Sequence, residues 1–78
     1  MEKRLHVHFI GLGGIGISAL ARYYLSQKCQ ISGSDLKSSE ITDFFQQLGA
    51  QIIIGQPSQA NLNLIKKADL VVYSPAIP

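Results

Sequence analysis

Ile10-Gly11-Leu12-Gly13-Gly14-Ile15-Gly16 is the run from which the architecture of this chain is read. It follows a short apolar segment, Leu5-His6-Val7-His8-Phe9-Ile10, and opens a helical pattern. Strand, glycine turn and helix in that order form the setting in which Gly-x-Gly-x-x-Gly receives a diphosphate. Gly11 permits a sharp exit from the strand. Gly13 is expected to let the backbone approach phosphate, and Gly16 to let the helix sit tightly on the sheet. A helix that starts here offers unpaired N–H groups and a partial positive charge to an anion.

Outward from this run the chain alternates strand and helix. The first strand is predicted over about 5–10 and the first helix over about 14–26, with Ile17, Leu20, Ala21, Tyr24 and Leu25 in one apolar stripe. A second strand is expected over 30–33. The segment 38–48 repeats the helical spacing with Ile41, Phe44, Phe45 and Leu48; Ser38 or Ser39 caps its start and Gly49 supplies a left-handed stop. Residues 50–54, with the β-branched run Ile52-Ile53-Ile54, predict a third strand buried on both faces. A thinner helix over 58–67, with Leu62 and Ile65 as its apolar face, leads to a fourth strand over 69–73. Four strands alternating with three helices require parallel pairing through right-handed crossovers. The expected fold is α/β and Rossmann-like, with strand order 3-2-1-4, the first portion of a doubly wound sheet. Residues 1–78 read as one domain of a longer protein, because complete sheets of this type normally carry more strands.

Composition narrows the function classes. The 78 residues are 46% hydrophobic, so the chain is globular and not disordered. Seven basic residues against five acidic ones leave a formal charge of +2, and the basic residues cluster no further than small pairs, Lys3-Arg4 and Lys66-Lys67. No basic stripe with interleaved aromatics points to nucleic acid. No stretch is long and apolar enough for a membrane span or a signal peptide, and a cytoplasmic location is expected. The one cysteine, Cys29, has no disulfide partner and no metal-ligand pattern beside it, and reads as a small buried filler.

A second chemical signal is Ser32-Gly33-Ser34-Asp35. Asp35 lies nineteen residues beyond Gly16, near the place where an acid accepts hydrogen bonds from ribose hydroxyls. A turn or cap role before the next helix is the alternative. Parallel strands bring their carboxyl ends to one edge, so Gly11–Gly16, Ser34-Asp35, Gly55-Gln56 and Ser74-Pro75 share a rim, with the ligand crevice between strands one and four. Ser18, near the start of the first helix, is placed to donate to phosphate or to lie on the helix surface. His6 and His8 share a strand face; with no third ligand they read as core or interface histidines. Neither a nucleophile–base pair nor paired catalytic carboxylates appear, and the Gly-x-x-x-x-Gly-Lys-Ser/Thr loop is absent. The chain alone is expected to bind without catalysing.

Three blocks now become specific: His8-Phe9-Ile10-Gly11-Leu12-Gly13-Gly14-Ile15-Gly16-Ile17-Ser18, Ser32-Gly33-Ser34-Asp35-Leu36-Lys37-Ser38-Ser39-Glu40, and Val71-Val72-Tyr73-Ser74-Pro75-Ala76-Ile77-Pro78. In this order they resemble the N-terminal domain of the Mur ligases of bacterial peptidoglycan synthesis, in the branch that adds L-alanine to UDP-N-acetylmuramate. Ligases that recycle murein tripeptide onto the same nucleotide are close relatives of that branch. The resemblance implies a three-domain enzyme whose N-terminal domain holds the UDP moiety, with ATP and Mg2+ bound in the central domain and no cofactor in this portion. It also implies that Gly11, Gly13, Gly14, Ile15, Gly16 and Ser18 line the diphosphate site. Asp35 would hold the ribose, while Ser74 and Ala76 border the nucleotide. Two positions depart from the family pattern: Gln56 stands where His is frequent, and Pro75 where Ser is frequent. Gln56 can donate and accept toward a base edge but carries no charge. An NAD-binding half of a dehydrogenase and a nucleotide-sensing regulatory module remain the alternatives.

Overall fold

In a computed structural model, residues 4–74 are described. The elements run β1 (His6–Ile10), α1 (Ile15–Ser26), β2 (Gln30–Asp35), α2 (Glu40–Gln47), β3 (Gln51–Ile54), α3 (Gln59–Lys67) and β4 (Leu70–Tyr73). All pairings are parallel and the order is β3-β2-β1-β4, as the alternation requires. Ala76 and Pro75, both expected at the rim, lie outside the described residues.

β1 is central, and its two faces differ in kind. Val7 and Phe9 point into an apolar cluster with Leu12, Ile17, Ala21, Ile31 and Phe45, on the side covered by α1 and α2. His6 and His8 point to the opposite side, where α3 packs on β1 and buries Asn61 and Leu64. This corrects the apolar face expected for α3: Leu62 is exposed, and Asn61 and Leu64, three residues apart on one face, make the contact. The α1 stripe also loses one member, because Leu20 is exposed at the rim.

β2 is two residues longer than its composition suggests. Ser34 pairs with Ile10 and with Ile53, and Asp35 pairs with Ile54, so neighbours on both sides override the weak strand propensity of Ser and Asp. β3 is not buried on both faces. It is an edge strand in which Ile52 and Ile53 are half-buried and Ile54 is exposed.

Helix ends follow local chemistry. Ser39, not Ser38, caps α2: its Oγ accepts from the Thr42 N–H at 3.3 Å while Thr42 Oγ1 accepts from the Ser39 N–H at 2.8 Å. Gly49 (φ +96°) closes α2 in the left-handed conformation, with Ala50 N–H returning to Phe45 O at 3.0 Å. α1 closes in the same way, with Cys29 N–H bonding Tyr24 O at 3.1 Å, but here Lys28 (φ 64°) occupies the left-handed position. Cys29 is free and buried, as expected of a filler.

The glycine that permits close packing is Gly33 on β2. A Cβ there would meet Leu12 Cδ2 at 2.9 Å and Phe9 O at 3.1 Å. Gly33→Ala is expected to lower unfolding free energy by about 1–3 kcal/mol through overpacking. Lys28→Gly is expected to raise it by about 1 kcal/mol by relieving the left-handed backbone. Urea denaturation of each variant against the parent checks both signs.

Candidate functional site

The glycine loop is tied to the end of β2. Gly11 (φ +79°) turns the chain out of β1, a conformation that glycine adopts without steric cost. Gly11 N–H and Leu12 N–H then both donate to Ser34 O, at 2.9 and 3.0 Å. Gly13 N–H donates to Asp35 Oδ2 at 2.8 Å, and Gly14 N–H to Gly11 O at 3.0 Å. Ser18 N–H makes the first helical bond, to Gly14 O at 2.8 Å.

Between Gly14 and Ser18 lie the N–H groups of Ile15, Gly16 and Ile17, none with a hydrogen-bond partner among the described residues. No side chain caps this end, since the N-cap residue is Gly14. α2 and α3, by contrast, both begin with capping boxes, Ser39 with Thr42 and Ser58 with Asn61. The start of α1 is therefore an open set of donors with the positive end of a helix dipole behind it.

The glycine spacing assigned the second and third glycines roles that the packing redistributes. The space beside Gly13 is filled by protein: a Cβ there would lie 2.7 Å from Asp35 Oδ2 and 3.3 Å from Ser39 Oγ. Gly16 presses on nothing, with no atom within 4 Å of the position its Cβ would take. Tight packing against the sheet falls to Gly33, which makes room for Leu12 of the loop. Gly16 is exposed beside an unpaired amide, the position at which an arriving ligand finds room.

Two cavities flank the loop and share Ile10 and Gly11. One, of about 310 Å³, lies toward β3 and is lined by Ser34, Asp35, Gly55, Pro57 and Asn61. The other, of about 690 Å³, lies between β1 and β4 and is lined by Gly14, Ile15, Gly16, Leu20, Tyr73 and Ser74. The second occupies the point where the direction of winding reverses, the usual ligand crevice of such sheets. Its polar equipment is the α1 amides and Ser74, while Ile15, Leu20 and Tyr73 give it an exposed apolar wall. Of that wall only Ile15, inside the glycine motif, was expected at the site; Leu20 and Tyr73 were assigned no role there.

Other candidates fall where their local bonds put them. Asp35 takes the turn role given as its alternative, Oδ1 accepting from Lys37 N–H at 3.4 Å, and adds a bond that the sequence reading lacked, Oδ2 holding the glycine loop. With its remaining lone pairs it can still accept from hydroxyls in the smaller cavity. Ser18 is buried and its Oγ donates to Ile15 O at 2.9 Å, so it serves the first turn of α1. Gln56 is exposed next to Gly55 and does not line either cavity.

His6 and His8 converge on one hydroxyl. His6 Nε2 lies 2.7 Å and His8 Nδ1 2.8 Å from Ser32 Oγ. His8 Nε2 is buried with no hydrogen-bond partner. Burial, with His6 beside it, holds His8 below the ordinary imidazole pKa. Among the described residues, no three His, Cys, Asp or Glu side chains gather to hold a metal ion. No helix there is long and apolar enough to cross a membrane.

Comparison with known proteins gives a uniform result. Residues 6–78 match the Mur ligase family, catalytic domain. The UDP-N-acetylmuramate–L-alanine ligase of Clostridium kluyveri is 51% identical over 75 residues, covering 96% of this chain and 16% of the relative. The ligase of the same name from Clostridium botulinum (strain Langeland) is 47% identical over 76 residues, 97% of this chain and 16% of the relative. The crystal structure of UDP-N-acetylmuramate-alanine ligase MurC from Thermotoga maritima superposes with a TM-score of 0.78 at 33% identity, over 96% of this chain and 16% of that one. The chain thus spans about 16% of the length of the proteins it matches.

The Asp35–Gly13 bond is testable without ligand. Asp35→Ala is expected to cost about 1–3 kcal/mol of stability, the range for removing a charged acceptor from a partly buried donor. Asp35→Asn keeps an acceptor oxygen and is expected to cost less. Equal stability of all three proteins in denaturant would show that the bond does not hold the loop.

Proposed function

The chain belongs to the Mur ligase family, and from that premise we propose that it is the N-terminal, UDP-binding domain of an ATP-dependent ligase joining L-alanine to UDP-N-acetylmuramate. The observation that carries this reading is the uncapped start of α1, with the Ile15, Gly16 and Ile17 amides open to the β1/β4 cleft. A diphosphate satisfies those donors and complements the helix dipole, an interaction of up to about 2 kcal/mol in partly buried sites.

The division of labour follows from the two cavities. Asp35, at the smaller one, accepts from the uridine ribose hydroxyls while keeping Gly13 in place. Gly11, Gly13 and Gly14 shape the turn, and Ile15 and Gly16 supply amides. Ser74 borders the nucleotide from β4, a role that the family resemblance also gives to Ala76, and Ser18 supports the helix start from behind. Gln56 is left for a base edge, reached by a side chain that is free to turn.

This domain positions one substrate and leaves the chemistry to the rest of the protein. ATP and Mg2+ are assigned, by the family resemblance, to the central domain of the longer chain. There the muramyl carboxylate takes a phosphoryl group from ATP, and the L-alanine amine displaces phosphate to form the amide. The partners are UDP-N-acetylmuramate and the remaining domains, with no nucleic acid and no membrane. Both nucleotide substrates put the reaction in the cytoplasm.

Titration of the ¹⁵N-labelled chain with UDP-N-acetylmuramate is expected to shift the Ile15, Gly16 and Ile17 amides, Asp35 and Ser74. NAD at the same concentration is expected to leave them in place, and a preferential response to NAD would overturn the reading. Gly16→Val fills the open side of the loop. It is expected to leave the fold intact and to weaken the UDP-sugar at least about tenfold, the loss of one good polar contact.

A further inference from the structure

We propose that α3 is an acid-released latch, docked on the sheet while His8 stays neutral in the His6–Ser32–His8 network beneath it, and freed as a unit when His8 takes up a proton. The inference concerns the fold itself and holds whatever ligand the cleft receives.

The sheet face under α3 is chemically unlike the other. Opposite α1 and α2 lies a continuous apolar cluster, whereas the α3 side buries His6, His8, Ser32, Ser34 and Asn61, with Leu64 as the fully covered apolar side chain of the helix. α3 is thus held by little apolar contact, and elements held that way open first.

The proton inventory under it is tight. Ser32 Oγ has one hydrogen and two lone pairs to share between His6 Nε2 and His8 Nδ1. The assignment with the least cost has His8 Nδ1–H donating to Ser32 Oγ and Ser32 Oγ–H donating to His6 Nε2. His8 Nε2 then keeps only a bare lone pair in its partnerless site. A proton added to His8 would place both a charge and an N–H donor where no acceptor exists.

At His8 no opposite charge compensates. On β1 the neighbour is His6. β2 and β4 set Ser32 and Val71 opposite His8, neither of them charged. At the start of β4 the Asp69 carboxylate accepts from His6 N–H at 2.8 Å, while Arg4 and Lys67 of α3 line the cavity that His6 borders. The closed form holds His8 below its ordinary 6.5, and the opened form restores it. Opening therefore takes up a proton and becomes easier as pH falls below that value. Because α3 carries Asn61, a wall of the smaller cavity, its release also opens that cavity.

Native-state hydrogen exchange at about pH 7.5 and about pH 5.5, either side of the ordinary histidine pKa, tests the latch. With intrinsic rates divided out, α3 amides are expected to lose protection several-fold more than α1 amides at the lower pH. His8→Val, and His8→Asn if the first variant does not fold, should abolish that difference, since Asn retains a partner for Ser32 and does not titrate. Equal loss in α1 and α3, no loss in either, or a selective loss that persists in the variant would overturn the proposal.

Discussion

The end of β2 holds the glycine loop, and the rest of the site depends on that hold. Ser34 O receives two successive amides, Gly11 and Leu12, and the Asp35 carboxylate receives a third, Gly13. These bonds draw the loop across the sheet edge, so that α1 begins beside the β1/β4 crevice with its remaining amides unpaired. They also explain why β2 runs on through Ser34 and Asp35, two residues poorly suited to a strand. Shortened at Gly33, it would leave the loop with no acceptors.

The glycine pattern is thus read differently in three dimensions than along the chain. A Gly-x-Gly-x-x-Gly spacing assigns close ligand approach to the second glycine and close packing to the third. Here the second glycine makes room for a carboxylate of its own protein, the third stands open at the cleft, and a fourth, Gly33, lets Leu12 lie on the sheet. The loop keeps the overall purpose of the motif, a turn that leaves helix amides free, while the contacts that enforce it are local to this chain.

The sheet is two interfaces back to back. α1 and α2 cover a face closed by Phe9, Leu12 and Phe45, all fully buried. α3 covers a face where two imidazoles share one hydroxyl. Apolar contact resists opening over a wide pH range, whereas a network with one spare nitrogen does not. The weaker layer is also the one that walls the Asp35 cavity.

Order, direction and pairing of the strands were legible in the residues, because alternation of short apolar runs with helical stripes admits few parallel topologies. The glycine turn, the acid that ends β2, a serine cap on α2 and the Gly49 stop were legible for the same reason: each is a local device whose chemistry is complete within a few residues. Burial was not. Ile52 and Ile53 read as core but form an edge strand, Leu62 reads as the α3 face while Asn61 is buried, and Leu20 reads as packing but lines the cleft. Each outcome depends on which neighbour arrives from a distant part of the chain. The bonds from Gly13 to Asp35 and from both histidines to Ser32 span more than twenty residues, and side chains so far apart meet only when β1 and β2 pair in register. Sequence by itself determined the frame and the presence of the glycine turn that opens α1; tertiary structure decided which amides stay open, because only the folded chain shows which donors its own residues have already taken.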